Sequence, residues 1–422
     1  QDEITRVIRE DPEQPGLLFV GTETGVYVSL DGGGAWQRLP GNLPVAPVYD
    51  MKIKDGDLVI ATHGRAFWIL DDLTPLRELA AGLAQETPHL FPPRRTLRRW
   101  LHWGVYGGGS ANRNYRLSFG LLITYFQDEG EEGEAILRMV DSGENPPQGV
   151  IVYYTLPEEV PDNVSLTFLD ENGEEIRTFT RRPAQAGNNN TNGAAKPFVP
   201  ARPGLNRFVW DMRYPEPEKL EGDPVTEKAT VGPFAKPGSY QVRLTVGDAQ
   251  ITAPFEIYID PGTGTSHEDM EEQFALWQQI VAKIDQTHKT IKRIRRVRDQ
   301  VTAWGKNLAE AGLDEPQATA LQERVKSLAS QLTEVEQALV QTEAKTAFDR
   351  LRLPTKLNAK LVGLVSVVAS ADAPPTRQTY DVFAKLSGEV DEQLEKLDSI
   401  LEEGIADFNA ALEDAGVPPV VV

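Results

Sequence analysis

The chain has 422 residues and a formal net charge of −20, from 43 basic and 63 acidic side chains. That balance disfavours nucleic acid and anionic membrane as general partners, and no apolar run approaches the roughly 20 residues of a membrane span. Cysteine is absent, which removes disulfides, thiol nucleophiles and Cys-based metal sites and leaves the redox compartment open.

The first pattern is "LLFVGTETGVYVSL", two apolar, β-branched runs around a Gly-containing turn, which reads as a strand pair. It leads into "SLDGGGAW", residues 29–36. A phosphate-cradling loop would need these glycines to open a helix. The chain instead runs on into "AWQRLPGNLP", whose two prolines and glycine argue against one. The glycines therefore join strands and take positive φ, with Asp31 accepting backbone hydrogen bonds.

Residues 21–31, "GTETGVYVSLD", have a second copy at 61–71, "ATHGRAFWILD". Thr22 matches Thr62, Tyr27 matches Phe67, Leu30 matches Leu70 and Asp31 matches Asp71; the flanks "ITRVIRED" and "VYDMKIKD" correspond as well. A period of about 40 residues with short strands and tight turns is the size of one four-stranded propeller blade. The second copy lacks the Ser and the Gly-rich turn, as a terminal or divergent blade would.

The spacing Ser29-x-Asp31-x-Gly33-x-x-Trp36 resembles the Asp-box of BNR-repeat propellers, found in sialidases, sortilin-type receptors and bacterial proteins described as glycosyl hydrolases. Ala35 stands where that family usually has Thr. "ATHGRAFWILDD" before "PLREL", "ENPPQGVIVYY" at 144–154 and "GLNRFVWDMRYP" at 204–215 extend the resemblance to a bacterial subgroup with a β-sandwich and a helical tail. The resemblance implies that Ser29, Asp31, Gly33 and Trp36 form a structural corner, with Trp36 plugged between strands. It also implies an extracytoplasmic (secreted or periplasmic) location.

The sequence opens on Gln1 inside a strand-like pattern, without Met or signal peptide. A propeller closes with about four to eight blades and residues 1–78 supply about two, which would leave sheet faces and edges open. The expectation is that an upstream polypeptide, the N-terminal part of the same precursor or another chain, supplies the rest.

Residues 79–144 read as a connector that includes the Arg-rich "FPPRRTLRRWLHWGVYGGGSANRNYR". Residues 145–262 read as a β-sandwich of immunoglobulin or fibronectin type; in "YQVRLTV", Tyr240, Val242, Leu244 and Val246 fall on one face. "DENGEE" at 170–175 is a hairpin turn without the ligand spacing of a calcium loop. Asn163 and Asn189 each begin a glycosylation sequon.

From Ser266 the pattern turns helical, with Ser266 and Asp269 as an N-cap and acidic first turn. Met270, Phe274, Trp277, Val281, Ile284, His288 and Ile291 form one stripe. Further helices are expected over 315–345 and 377–414, closing an antiparallel bundle over 266–415. Dimerisation through its long helices is a further possibility. The basic run "KTIKRIRRVRDQ" at 289–300 reads as an anion patch or as one half of interhelical charge pairing with "EVDEQLEKLDSILEE". His288, on the apolar stripe, reads as a core histidine.

The fold expectation is thus multidomain, mainly β plus α: about two propeller blades, a sandwich and a bundle. His63 and Arg65 occupy the turn whose sibling has Glu23 and Gly25. They read as binders of an anionic group, or Arg65 as a lock on Asp71 or Asp72. A glycosidase needs two carboxyl groups at a set separation, and nothing in the spacing of Glu23, Asp50 and Asp57 singles out a pair. No zinc motif, P-loop or Ser-His-Asp elbow is present, and no metal or cofactor is implied. The favoured reading is a non-catalytic binding or scaffold part, with a carbohydrate or protein ligand. The alternative is a sialidase-like glycoside hydrolase whose active site lies on the complete propeller, with this chain supplying His63, Arg65 or Glu23.

Overall fold

A computed structural model of the chain describes all residues except 1–2, 40, 84–86, 99–112, 119–120, 130–134, 141–142, 144–145, 184–197, 228, 308–314, 415 and 417–422. The Asn189 sequon and most of the Arg-rich connector lie outside the described residues. The chain is β-rich with a helical C-terminal region, and it divides into two compact units. One comprises Gln1–Met212 with Pro237–Asp260, the other Arg213–Lys236 with Pro261–Val422.

The first unit opens with a four-stranded antiparallel meander of β1 (Thr5–Glu10), β2 (Leu18–Thr22), β3 (Val26–Ser29) and β4 (Gln37–Arg38). A second meander comes next, of β5 (Val48–Lys54), β6 (Asp57–Thr62) and β7 (Phe67–Leu70). There the chain leaves the sheet for helix α1 (Thr74–Ala80), whose first turn carries Pro75. Its fixed φ suits a helix start.

The two meanders share one core, in which Val7, Phe19, Val26 and Val28 of the first meet Val48, Met51, Leu58 and Ile60 of the second. Residues directly opposite across a ladder share a face. Val7 and Val26 lie opposite Gly21, and Val28 opposite Phe19, so the first meander buries that face. Met51 lies opposite Ile60, and Ile53 opposite Leu58, in the second. Counted back from the equivalent Thr22 and Thr62, Phe19 corresponds to Val59 and Val20 to Ile60. The second meander therefore buries the opposite face. Like sheets stacked in succession do this, each turning one face to the sheet before it and the other to the sheet after. The approach is close: a Cβ on Gly21 would sit 2.6 Å from a Val48 methyl and 2.7 Å from a Val7 methyl.

The sequence match of Tyr27 with Phe67 is off by one in the structure. Thr22 N–H donates to Gly25 O, whereas Thr62 N–H donates to Ala66 O, so the second hairpin turn holds one extra residue. Phe67 thereby corresponds to Val26 and Ile69 to Val28, because a one-residue slip moves every side chain to the other face. Val26 and Val28 are buried, while Phe67 is 76 % exposed and Ile69 58 %.

After α1 come β8 (His89–Leu90), β9 (Thr96–Arg98) and a separate meander of β10 (Arg113–Ser118), β11 (Leu121–Glu129) and β12 (Ala135–Met139). Next are β13 (Val150–Leu156), β14 (Val164–Leu169), β15 (Glu175–Thr180), β16 (Gly204–Trp210), β17 (Gly238–Val246) and β18 (Ala249–Ile259). They build a three-stranded sheet, β16-β13-β8, and a five-stranded one, β15-β14-β17-β18-β9, in which only the β18–β9 pair is parallel. Trp210 of the first stacks on Phe168 of the second at 4.5 Å, within a cluster that includes Phe179, Phe208, Tyr240 and Phe255. Tyr240, Val242, Leu244 and Val246 point into this core, as their alternation predicts.

The second unit holds α2 (His267–Asn307), α3 (Glu315–Leu339), α4 (Leu357–Val368), α5 (Arg377–Ser399) and α6 (Ile405–Asp414), with a π-helical turn at Ile400–Gly404. That turn lies where α3 comes close, since a Cβ on Gly404 would be 2.8 Å from a Leu328 methyl. Of the α2 stripe, Met270, Trp277, Ile284, His288 and Ile291 are buried and Phe274 and Val281 half-buried, while Leu276 and Ile280, which the sequence spacing left out, are buried as well. Residues 213–236, inside the limits expected for the sandwich, pack with the helices. Arg213 lies over the rings of Phe234 and Trp277, at 5.3 and 5.9 Å, and Tyr214 meets Phe274 edge-on at 4.8 Å.

Candidate functional site

The turns and strand starts at one end of the two meanders bring together the residues singled out from sequence. Glu23, in the β2–β3 turn, accepts from Arg6 Nε at 2.6 Å. The Arg6 guanidinium lies 4.5 Å from the centre of the Tyr49 ring. Tyr49 in turn stacks on His63 of the β6–β7 turn, with ring centres 5.0 Å apart and planes 21° from parallel. Glu23 and His63 thus belong to one strip, Glu23–Arg6–Tyr49–His63.

Arg6 and Tyr49 share a structural cause. The β1–β2 register shifts between Thr5 and Val7, and the β5–β6 register between Val48 and Asp50. Each is the extra residue of a bulge at the equivalent place in its meander. Bulges re-aim a side chain that the regular pleat would place elsewhere. Sequence matching paired Thr5 with Tyr49 and so missed both; two bulges at one repeat position leave no mark in composition or periodicity.

Arg65 stays out of the strip. Its carbonyl accepts from Trp68 Nε1 at 2.8 Å, and among the described residues its guanidinium makes no ion pair with Asp71 or Asp72. Ala66 beside it has φ 61°. Glu3, also missed from sequence, accepts from Thr24 Oγ1 at 2.7 Å, Thr22 Oγ1 at 2.8 Å and the Tyr27 hydroxyl at 3.0 Å. Hydroxyl donation, from Thr24 first and then Thr22, holds its carboxyl below the ordinary range.

Asp50 and Asp57, the other two carboxylates weighed with Glu23 from the sequence, are tied to arginines as well. Asp50 accepts from Arg9 Nη2 at 2.5 Å, and Asp57 accepts from Arg94 Nη1 at 2.5 Å and from the Asp72 backbone N–H at 2.8 Å. Near Asp57, burial and then the Asp57 charge push the Asp71 carboxyl up, opposed by Arg207 and Arg94. Burial likewise raises Tyr153 across from Arg207.

The glycine-rich corner lies at the far end of β3 from Glu23. Ser29 Oγ accepts from Gly33 N–H at 2.9 Å and donates to Asp31 Oδ1 at 2.8 Å. Asp31 Oδ1 also accepts from Ala35 N–H at 2.9 Å. These donors, Ala35 N–H first, hold Asp31 below the usual carboxylate range. Gly32 and Gly33 have φ of 72° and 97°, which side chains rarely adopt. Trp36 remains 39 % exposed, with Gly33 beside its ring, rather than plugged between strands. The residues that close this corner are Ser29, Asp31 and the glycines.

In the helical unit, His288 is buried with Nδ1 2.5 Å from Glu218 O and Nε2 2.9 Å from Asn358 Oδ1. Asn358 Nδ2 reaches Asp223 Oδ2 at 3.1 Å and Thr226 Oγ1 at 3.0 Å. His288 thus joins residues 213–236 to the helices. Among the described residues, five of the six cations in the basic run of α2 have a carboxylate within salt-bridge distance, Arg295 and Arg298 sharing one. Arg295 Nε meets Glu336 Oε1 at 2.7 Å, Arg298 binds the other Glu336 oxygen, and Lys292 pairs with Glu218. Its main acidic counterpart is α3, with α5 contributing Asp398 to Arg293 at 4.0 Å.

Among the described residues no group of three His, Asp or Glu side chains is placed to hold a metal ion, and no helix is long and apolar enough to cross a membrane. No family model, curated protein or solved structure matches this chain.

Proposed function

We propose that the two meanders are successive blades of an Asp-box β-propeller. The chain would then be the non-catalytic binding and scaffold part of an extracytoplasmic protein, completed by blades carried on an upstream polypeptide. The observation that carries this is the pair of faces. The face holding Val26 and Val28 is buried by the next meander, while the same face of the second meander exposes Phe67 and Ile69. Its ladder neighbours Val59 and Ala61 complete an apolar seat. The opposite face of the first meander exposes Ile8, with Val20 beside it. A stack open at both ends accepts one further sheet at each. The extracytoplasmic placement is supported by the Asp-box resemblance alone; the reading of the two facing sheets as an immunoglobulin- or fibronectin-like sandwich is supported by the strand alternation and by the Trp210–Phe168 stack between them.

The strip Glu23–Arg6–Tyr49–His63 is the binding surface of this proposal. An exposed aromatic flanked by a cation, a carboxylate and an imidazole offers stacking and charged hydrogen bonds to a carbohydrate or protein ligand. A glycosidase would need a carboxyl held protonated to serve as the acid. Glu23 is the one carboxylate of the strip and is paired to Arg6, so the strip offers no pair of carboxyl groups for the hydrolase reading.

A photo-crosslinking amino acid in place of Phe67, in the particle recovered from the producing cells, tests the blade reading. Capture of a polypeptide with Ser-x-Asp-x-Gly repeats is expected. Cross-links confined to this chain would end the proposal.

A further inference from the structure

The second meander lacks its fourth strand among the described residues. In the first meander, β4 pairs antiparallel with β3, and the outward Val26 carbonyl accepts from Leu39 N–H at 2.9 Å. In the second, the chain turns into α1 instead, and β7 is an edge.

The ladder shows which groups that edge presents. Thr62 N–H donates to Ala66 O, so this pair is of the hydrogen-bonded kind, and the kinds alternate along an antiparallel ladder. Trp68 and Leu70, opposite Ile60 and Leu58, then bond inward to β6. The backbone N–H and C=O of Phe67 and Ile69 point to the open side. Phe67 corresponds to Val26, whose carbonyl is the one engaged in the first meander. Natural edges are blunted with charge, proline or a bulge. "FWIL" carries none of these, and the side chains of Phe67 and Ile69 are exposed.

We propose that β7 is the pairing edge for an extended strand, antiparallel to it, donated by the polypeptide that supplies the neighbouring blade. This rests on the blade reading above. The donor presents backbone groups to Phe67 and Ile69 and apolar side chains on their exposed face, as in strand addition. The first meander, with its own chain in that place, shows the occupant's form.

Residue-resolved amide hydrogen exchange on the native particle and on the isolated chain tests this. The amides of Phe67 and Ile69 are expected to slow about tenfold or more in the particle, the protection of roughly one net hydrogen bond each. Those of Trp68 and Leu70, already bonded to β6, change little. A partner polypeptide present with Phe67 and Ile69 exchanging as in the isolated chain overturns the strand donation and leaves the blade reading standing. A particle without a partner overturns both. A mass of two copies with the same amides protected would replace the donor by β7–β7 pairing and overturn the proposal as stated.

Discussion

Gly21→Ala tests the contact on which the stacked meanders depend. The added Cβ would lie 2.6 Å from Val48 Cγ1 and 2.7 Å from Val7 Cγ1. Carbon atoms pack at about 3.5–4.0 Å, so both valines must retreat by about 1 Å. Both are buried, Val48 completely, and Val48 belongs to the other meander. Overpacking of this kind costs about 1–3 kcal/mol, against about 0.5–1 kcal/mol regained by replacing a strand glycine. The expected net loss is about 1–2 kcal/mol. Val48→Ala alone loses apolar burial, yet it removes the methyl nearest the new Cβ and leaves Val7 Cγ1 at 2.7 Å and Val48 Cβ at 3.0 Å. In that background Gly21→Ala should cost less than it does in the parent, because one of its two clashing methyls is gone, with a coupling of about 0.5–1 kcal/mol. Urea unfolding of the full chain and its three variants, followed by tryptophan fluorescence, measures the cycle. Additive single effects, or a neutral Gly21→Ala, would refute the packing argument.

Asp71→Asn tests the carboxylate cluster of Asp57, Asp71 and Asp72, which faces Arg94, Arg207 and Tyr153. Because the folded Asp71 carboxyl is raised above its ordinary 3.8, its contribution to stability is present below that value and lost as pH rises through the folded value. The variant should therefore melt higher than the parent at neutral pH, with the difference vanishing in acid; a lower melting temperature at pH 7 would contradict this. Glu336→Gln leaves Arg295 and Arg298, 30 % and 25 % exposed, without their shared carboxylate. Because water still reaches both, the loss should be about 1–3 kcal/mol, read from full-chain urea melts by circular dichroism. Ala66→Gly relieves a φ of 61° that costs an L-residue about 1–2 kcal/mol. It should stabilise by about 0.5–1 kcal/mol; a loss in the same melts would show the strain argument wrong.

The parts of this fold visible in the sequence are those that repeat. The alternation of Tyr240 to Val246, the α3 stripe of Leu321 to Leu339 and the 40-residue recurrence of the meanders each state one rule several times. The hidden parts turn on single residues. One extra residue in the turn after Thr62 flips β7, and two bulges re-aim Arg6 and Tyr49 into contact. Residues 213–236 lie next to strand-like neighbours in the chain, yet Arg213, Glu218 and Asp223 have their partners on the helices. Glu23 and His63 could be picked out because they break the repeat. Glu3 could not, since its three hydroxyl donors gather only when the turn closes.

The central claim is that the meanders are part of a larger stack. The most direct test is the native mass of the particle that holds this chain in the producing cells, with its polypeptides sequenced. The account predicts a mass above the 46.7 kDa of residues 1–422 and further Asp-box repeats in the particle, on this polypeptide or on a second one. A lone 46.7 kDa particle, stable with Phe67 and Ile69 open to water, would contradict it.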